Sequence, residues 1–407
     1  MTSPSSSAHS PLDLDVSETE ALLAASAQLM HVAVRPARVM VRGSGSYLWD
    51  HTGARYLDFI QGWAVNALGH APPEISQALQ EQSQTLISAS PAFHNLPQLR
   101  FASELTRAAG LAQVHFANSG AEANEAALKL ARKWGRLQRA GAHQIITTEG
   151  SFHGRTLALM AASGKPGWDE LFPPKMPGFA KVPYGDVRAV EASIGPETVA
   201  IMVEPIQGEA GVVVPPEGYL QALRGLCDAH NLLLICDEVQ TGMGRTGTLF
   251  ACQREGVTPD ILTLGKGLGG GVPISAVLAS SRASCFVPGD QGGTYNGNPL
   301  MVAVARSIFN VVSQEAFLRR VNEAGLYLER RLFETCSAHG LGLRGRGLLW
   351  ALVLPEARAE RVVQTCFSSG LLINAPRPQL LRLMPSLRVS NAEIDEMVTL
   401  LDHALRA

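Results

Sequence analysis

The sequence has almost no excess of charge of either sign. Its 407 residues include 34 Lys+Arg against 36 Asp+Glu, a formal net charge of −2. No strong basic field is available to hold nucleic acid or anionic lipid through bulk electrostatics, and a small ligand in a cleft fits better. Cysteine is scarce: Cys227, Cys236, Cys252, Cys285, Cys336 and Cys366 form no Cys-x-x-Cys pair. Several sit in apolar runs such as Leu232–Cys236, as small buried hydrophobes do. The expectation is a reducing, cytoplasmic setting without structural zinc or other metal. No apolar stretch is long enough to span a bilayer. The Ser/Pro/Ala-rich stretch Met1–Pro11 lacks the basic n-region and apolar h-region of a secretory leader, and residues 1–14 read as a disordered tail. Internal repeats and low-complexity linkers are absent from the rest.

What is present is enough chain for two or three domains with a sizeable core, at 46% hydrophobic residues. Asp15–Leu29 looks helical, and Arg38–Phe59 alternates around Gly43, Gly45 and Gly53 as a small strand meander does. From Pro72 to about Gly271, apolar runs at Gln113–Ala117, Gln144–Thr147, Ala200–Val203, Leu232–Cys236 and Ile261–Leu264 are interleaved with helical patterns such as Ala121–Arg132 and Tyr219–Ala229. Such interleaving predicts an α/β fold, a mostly parallel sheet covered on both faces. From Pro299, two long helical patterns run to about Cys336. Strands near Leu349–Val353 and Gln379–Leu383 and a last helix from Asn391 follow. The predicted organisation is a segment 15–71 packing with the small domain, a large domain 72–298, and a smaller α+β domain 299–407.

Gly265-Lys-Gly267-Leu-Gly-Gly270 satisfies the dinucleotide pattern G-x-G-x-x-G after a strand, with Asp290 about 20 residues on. The next run, Gly271-Val-Pro273-Ile-Ser-Ala-Val-Leu, offers a proline and a strand where that fingerprint needs a helix, so the context fails. A Walker A loop fails too, because no Ser or Thr follows Lys266. Lys266 reads better as a nucleophile. It follows an apolar strand and is wrapped in glycine, so an amine held there is poorly solvated and can form a Schiff base. The alternative is a solvated loop lysine. Asp237 ends a strongly apolar strand, the edge where ligands of open α/β sheets bind. A buried carboxylate needs a cationic or hydrogen-bonding partner, either the protonated nitrogen of a pyridine ring or Arg245. Phe116-Ala-Asn-Ser119-Gly120-Ala121-Glu122 leads from a strand into a helix. Ser119 and the N–H groups of Gly120 and Ala121 would meet an anion there, or Ser119 and Glu122 would form a simple capping box. Phe152 offers a ring to stack on a cofactor, and Arg155 a guanidinium for a carboxylate.

A phosphate nest, a strand-end carboxylate and a glycine-wrapped lysine are the parts pyridoxal phosphate requires. The chain resembles the class III (ornithine/acetylornithine-type) aminotransferases of the fold type I pyridoxal-phosphate enzymes from about Val39 to the C-terminus. The motifs that carry the resemblance are Tyr56-Leu-Asp-Phe59, Ala64-Val-Asn-Ala-Leu-Gly-His70, Asn118-Ser-Gly-Ala-Glu-Ala-Asn124, Phe152-His-Gly-Arg155-Thr, Glu204-Pro-Ile-Gln-Gly-Glu209, Asp237-Glu-Val-Gln-Thr-Gly242, Gly244-Arg-Thr-Gly247, Leu264-Gly-Lys266-Gly, Gly293-Thr294 and Gly297-Asn-Pro-Leu300.

The resemblance implies that Lys266 holds pyridoxal 5′-phosphate and then acts as the base that moves the substrate proton, while Asp237 keeps the ring nitrogen protonated. Phe152 and Val239 would sandwich the ring, Gln240 would bond its hydroxyl, and Ser119, Gly120 and Ala121 would hold the phosphate. Thr294 would reach the phosphate of the neighbouring subunit, implying a homodimer with a shared site. Arg155 would grip a distal carboxylate, and Arg382 the α-carboxylate of glutamate. Glu209 would mask Arg382 during the other half-reaction. The implied reaction moves the distal amino group of N-acetylornithine, or a related ornithine-like diamine, to 2-oxoglutarate. The alternative is another class III transaminase acting on ornithine, 4-aminobutyrate or an ω-amino acid. The chain departs from the usual pattern at Ala71-Pro-Pro73, at Gln291, at Tyr295-Asn296 and at Ala92-Phe-His-Asn95, none of which touches the cofactor chemistry.

Overall fold

Thr198–Val203 and Leu233–Asp237 are buried at every position, as strands are when helices cover both faces of their sheet. In the computed structural model, which describes residues 16–407, they form the centre of a seven-stranded sheet. Its order is Gln113–Ala117, Ser275–Ala279, Ile261–Leu264, Leu233–Asp237, Thr198–Val203, Gln144–Thr148, Phe179–Val182. The last five pair in parallel. Ser275–Ala279 runs against both of its neighbours, so one reversed strand makes the sheet mostly parallel. The tail expected over 1–14 lies outside the described residues.

Helix Gly120–Gln138 packs on this sheet through Ala123, Ala126, Ala127, Leu130, Ala131 and Trp134, one stripe at helical spacing. It outruns the expected end at Arg132 because Trp134 and Gly135 continue the buried stripe. Gly135 is required there: a Cβ would fall 1.9 Å from the Ala142 carbonyl oxygen.

The C-terminal part is built on an antiparallel sheet ordered Gly342–Arg346, Leu349–Val353, Leu380–Leu383, Asn374–Arg377. The N-terminal meander Met40–Ser44, Tyr47–Asp50, Arg55–Asp58 is extended by Leu371–Leu372, which pairs in parallel with Arg55–Asp58. The two ends of the chain thus share one sheet. Helix Pro299–Val312 packs against helices Pro73–Ser83 and Leu96–Ala109 of the large part, whereas Glu315–His339 packs on Asn391–Arg406. Among the described residues no helix is long and apolar enough to cross a membrane.

One backbone feature lies between the meander and the site. Four consecutive residues, Gln61, Gly62, Trp63 and Ala64, have φ of 49°, 59°, 66° and 65°. For the three that are not glycine this left-handed backbone costs roughly 1–2 kcal/mol each. Asp58 supports the turn, its Oδ1 accepting the N–H groups of Ile60 and Gln61 and its Oδ2 meeting His70 Nε2 at 2.8 Å. The carbonyls of Phe59 and Ala67 accept from Met384 and Leu387, which stitches the turn to the chain just beyond Leu380–Leu383.

Candidate active site

The carboxyl ends of the parallel strands open onto one cavity of about 310 Å³, whose lining includes Gly120, Ala121, Phe152, Asp237 and Lys266. That edge is where the sheet leaves unpaired backbone and helix N-termini facing a ligand. A larger groove of about 480 Å³ runs along helix Glu315–His339 between Leu326, Phe333 and Trp350, and contains none of the candidate residues.

Asp237 ends its strand and is 3% exposed. Its Oδ2 accepts from His153 Nδ1 and Asn124 Nδ2, both at 2.8 Å, and its Oδ1 from the Val239 N–H at 3.1 Å. Arg245, the alternative partner, instead donates to the carbonyls of Leu348 and Pro385. Facing a carboxylate, His153 Nδ1 is assigned the proton, and its buried Nε2 is left without a partner. Glu204, at the end of the adjacent strand, accepts the Phe152 N–H at 3.0 Å. Burial, then the neighbouring Asp237, push its carboxyl well above the usual range.

Lys266 opens a short 3-10 turn with φ of 43°. Its side chain lines the cavity rather than standing in solvent. Although that side chain keeps some accessible surface, the surrounding protein is dense enough that burial lowers the pKa of its ammonium. Glu209 opposes the shift and Arg382 adds to it.

Ser119 caps helix Gly120–Gln138, its Oγ accepting the Glu122 N–H at 3.2 Å. The capping box is only half made. Glu122 Oε2 turns back to the backbone N–H and Nδ2 of Asn118, at 2.7 and 2.9 Å, instead of to the Ser119 N–H. The acidic side chain is thereby drawn off the helix end, where an anion would sit. Gly120 and Ala121 line the cavity, whereas Ser119 is at the surface. Gly120 must lack a side chain, because a Cβ would fall 2.8 Å from Val239 Cγ1.

Phe152 packs edge-on against Trp168, with centroids 5.5 Å apart. Val239 and Gln240 also line the cavity, and both amide atoms of the buried Gln240 side chain lack partners. Arg155 is exposed at the rim, its Cζ 5.5 Å from the Trp168 centroid and 6.0 Å from that of Phe152. Arg382 is fully buried, with Nη1 2.8 Å from Glu209 Oε1. That contact is an ion pair off the N–H direction, since neither Nη1 nor Nη2 has an aligned acceptor, while Nε donates to Asn374 Oδ1 at 3.3 Å. Burial, the largest single influence, would raise the Glu209 pKa, but Arg382 together with Lys266 and Lys165 holds the carboxyl below its usual value. Thr294 is exposed and does not line this chain's cavity.

Sequence reasoning missed Asn124, His153 and Glu204 as parts of the site. Glu204 carried the same signal as Asp237, an acid ending an apolar strand. His153 and Asn124 have no spacing relation to Asp237, and only the convergence of helix and loop reveals them. The departure at Asn296 also has a structural account. Its Oδ1 accepts from Asn118 Nδ2 at 2.8 Å and its Nδ2 meets His115 Nε2 at 3.1 Å, tying the Thr294 loop to the residue before the helix cap.

The pattern of the family Aminotransferase class-III matches residues 29–405. The chain is 52% identical over 383 residues to acetylornithine aminotransferase 2 of Bordetella bronchiseptica, covering 93% of this chain and 97% of that one. Among solved structures, N-acetylornithine aminotransferase of Stenotrophomonas maltophilia superposes with a TM-score of 0.82 at 35% identity, covering 94% of this chain and 98% of that one. An ornithine aminotransferase of Toxoplasma gondii, with PLP at partial occupancy in its active site, gives 0.90 at 34% identity, covering 95% and 94%. With a family match over nearly all its length, the chain belongs to the class III aminotransferases, pyridoxal-phosphate-dependent enzymes of fold type I.

Proposed function

We propose that this enzyme moves the distal amino group of N-acetylornithine, or of a related ornithine-like diamine, to 2-oxoglutarate, giving a semialdehyde and glutamate. The observation that carries the reading is the Glu209–Arg382 pair at the cavity wall. Glutamate brings an α-carboxylate next to its reacting carbon, and a diamine reacting at its distal end does not. An arginine is always charged, so a single site serving both partners needs a counter-ion that covers it for one and leaves for the other. Glu209 lines the cavity and Arg382 lies behind it, the arrangement such an exchange requires. Arg155 at the rim would take the remaining carboxylate of either partner.

The cavity residues also fit pyridoxal 5′-phosphate. The bare N–H groups at Gly120 and Ala121 suit the phosphate, and Phe152 and Val239 suit the two faces of the ring. The unpartnered Gln240 amide suits the ring hydroxyl. When bound, this cofactor supplies a protonated ring that delocalises the electron pair left on the substrate carbon. Asp237, fixed by His153 and Asn124, would hold the proton on the ring nitrogen. Lys266 Nζ would bind the cofactor covalently and, once displaced, carry the proton to and from the substrate carbon.

The active unit is proposed to be a homodimer in which Thr294 serves the neighbour's phosphate site. Ile87, Phe93, Leu96 and Leu99 are exposed, and Asn95 beside them donates to the Gly297 carbonyl of the Thr294 loop. This apolar patch beside the loop supports a second copy as its cover. Six unpaired cysteines, five of them buried, agree with a reducing, cytoplasmic setting. The test is a panel of N-acetylornithine, ornithine, 4-aminobutyrate and simple monoamines against 2-oxoglutarate and pyruvate. The expected best pair is N-acetylornithine with 2-oxoglutarate. Preference for pyruvate with a monoamine would overturn the assignment.

A further inference from the structure

The indole of Trp63 stands over the Arg382 guanidinium, 5.8 Å from ring centroid to Cζ. Trp63 is 53% exposed, whereas Arg382 has no exposure at all. One side of a fully buried cation is thus roofed by an aromatic face that itself meets solvent. The roof is held by backbone: Trp63 sits in the left-handed turn 61–64, anchored on Asp58 and stitched through Phe59 and Ala67 to Met384 and Leu387, two and five residues past Arg382.

We propose that Trp63 is a positioning residue for Arg382, keeping the guanidinium dry so that it exchanges Glu209 for a substrate carboxylate and not for water. The inference rests on the reading that Arg382 receives that carboxylate. An aromatic face attracts a cation through its quadrupole without consuming an N–H donor. A carboxylate or carbonyl at the same place would have occupied the Nη groups. Nη2 has no acceptor and Nη1 faces the Glu209 carboxylate that would leave, so both would then be open to a fork-like approach by a substrate carboxylate. Excluding water from the other side strengthens each charge contact that is made. Trp63 therefore acts on the glutamate side of the reaction, through Arg382, without touching the reacting atoms.

The experiment compares holoenzyme of wild type, Trp63→Phe, Trp63→Leu and Arg382→Leu. Binding of glutarate, a non-reacting dicarboxylate, is measured by calorimetry alongside single-turnover half-reactions with glutamate and with N-acetylornithine. Trp63→Leu should weaken glutarate binding about tenfold and slow the glutamate half far more than the diamine half. Trp63→Phe should restore both to within about threefold of wild type. Equal losses in both halves, or a leucine variant that binds glutarate like wild type, would overturn the inference. Unchanged glutarate binding in Arg382→Leu would instead remove the reading beneath it. If Trp63→Leu is recovered without cofactor, tryptophan emission decides. A glutarate-induced change present in wild type and missing in Trp63→Phe supports the roof, and an identical change in both refutes it.

Discussion

Replacing Glu209 with glutamine tests the two-partner site most directly, because it keeps the shape of the side chain and removes only its charge. Arg382 has no exposure, and its other polar contact is Asn374 Oδ1. Leaving one member of a buried ion pair without its counter-charge costs about 3–5 kcal/mol. Glu209 is 29% exposed at the cavity wall, so water can reach the vacated side and the lower figure applies. About 3 kcal/mol is a factor of roughly 100. In the diamine half-reaction the free enzyme and the transition state carry this penalty alike, since nothing replaces Glu209 while the diamine reacts, so it leaves kcat/KM for the diamine little changed. In the glutamate half-reaction the substrate's own carboxylate neutralises Arg382, so most of the penalty is returned on binding. Stopped-flow single turnovers from both sides should therefore show the ratio of kcat/KM for N-acetylornithine to that for glutamate down about 100-fold. Arg382→Ala should reverse the asymmetry, and Arg155→Ala should impair both halves. Equal losses for Glu209→Gln and Arg382→Ala in the two halves would refute the exchange and leave the pair a structural one.

Lys266→Ala should abolish turnover and the visible absorption of the covalently held cofactor. Asp237→Ala should keep that absorption while losing most of the rate, a split read by one spectrum and one steady-state assay. Mixing inactive Lys266→Ala subunits with subunits inactivated at Thr294 should restore part of the activity; a fully active monomer in sedimentation would contradict the shared site. Glu204→Gln should raise the melting temperature progressively as pH climbs above the usual carboxylate range. The raised carboxyl costs nothing below its unfolded pKa, and destabilises as the unfolded chain ionises while the folded one does not. A pH-independent difference in melting temperature would show that Glu204 does not hold a proton there.

Most of the large sheet was legible because its strands are near-continuous apolar runs. Ile261–Leu264 was placed at its exact limits, and Tyr219–Ala229 likewise among the helices. Leu371–Leu372, two residues long, was too short to show a period, and in three further unforeseen strands side chains contribute little. Gly342–Arg346 reads Gly-Leu-Arg-Gly-Arg, Asn374–Arg377 contains Pro376, and Phe179–Val182 is a four-residue edge carrying Lys181. Their pairing comes from neighbouring strands and not from a period in their own sequence. In the site, residues at strand ends announced themselves through the contrast between an apolar run and the polar residue that closes it. The left-handed turn at 61–64 gave no such sign, since Trp63 and Ala64 are poor candidates for positive φ and only Asp58 and the bonds to Met384 and Leu387 hold them there.

Two acids a strand apart, Asp237 and Glu204, explain how the cavity can be rich in carboxylates and still receive an anionic cofactor. Asp237 is surrounded by N–H donors from His153, Asn124 and Val239, a setting that would suit a carboxylate facing a protonated ring. Glu204 has one such donor and lies beside Asp237, so burial and that neighbour raise its carboxyl well above the usual range. The same chemical group thus has very different surroundings at two adjacent strand ends, and at Glu204 they raise its carboxyl. The cavity wall carries the acids Asp237, Glu204 and Glu209 together with Lys266 and Arg155, and Arg382 lies behind Glu209. In the proposed exchange Glu209 would withdraw and an incoming substrate carboxylate would take its place on Arg382. On that reading the pair's contribution would lie less in stability, which a buried ion pair supplies poorly, than in letting one arginine meet a carboxylate from either the protein or the substrate.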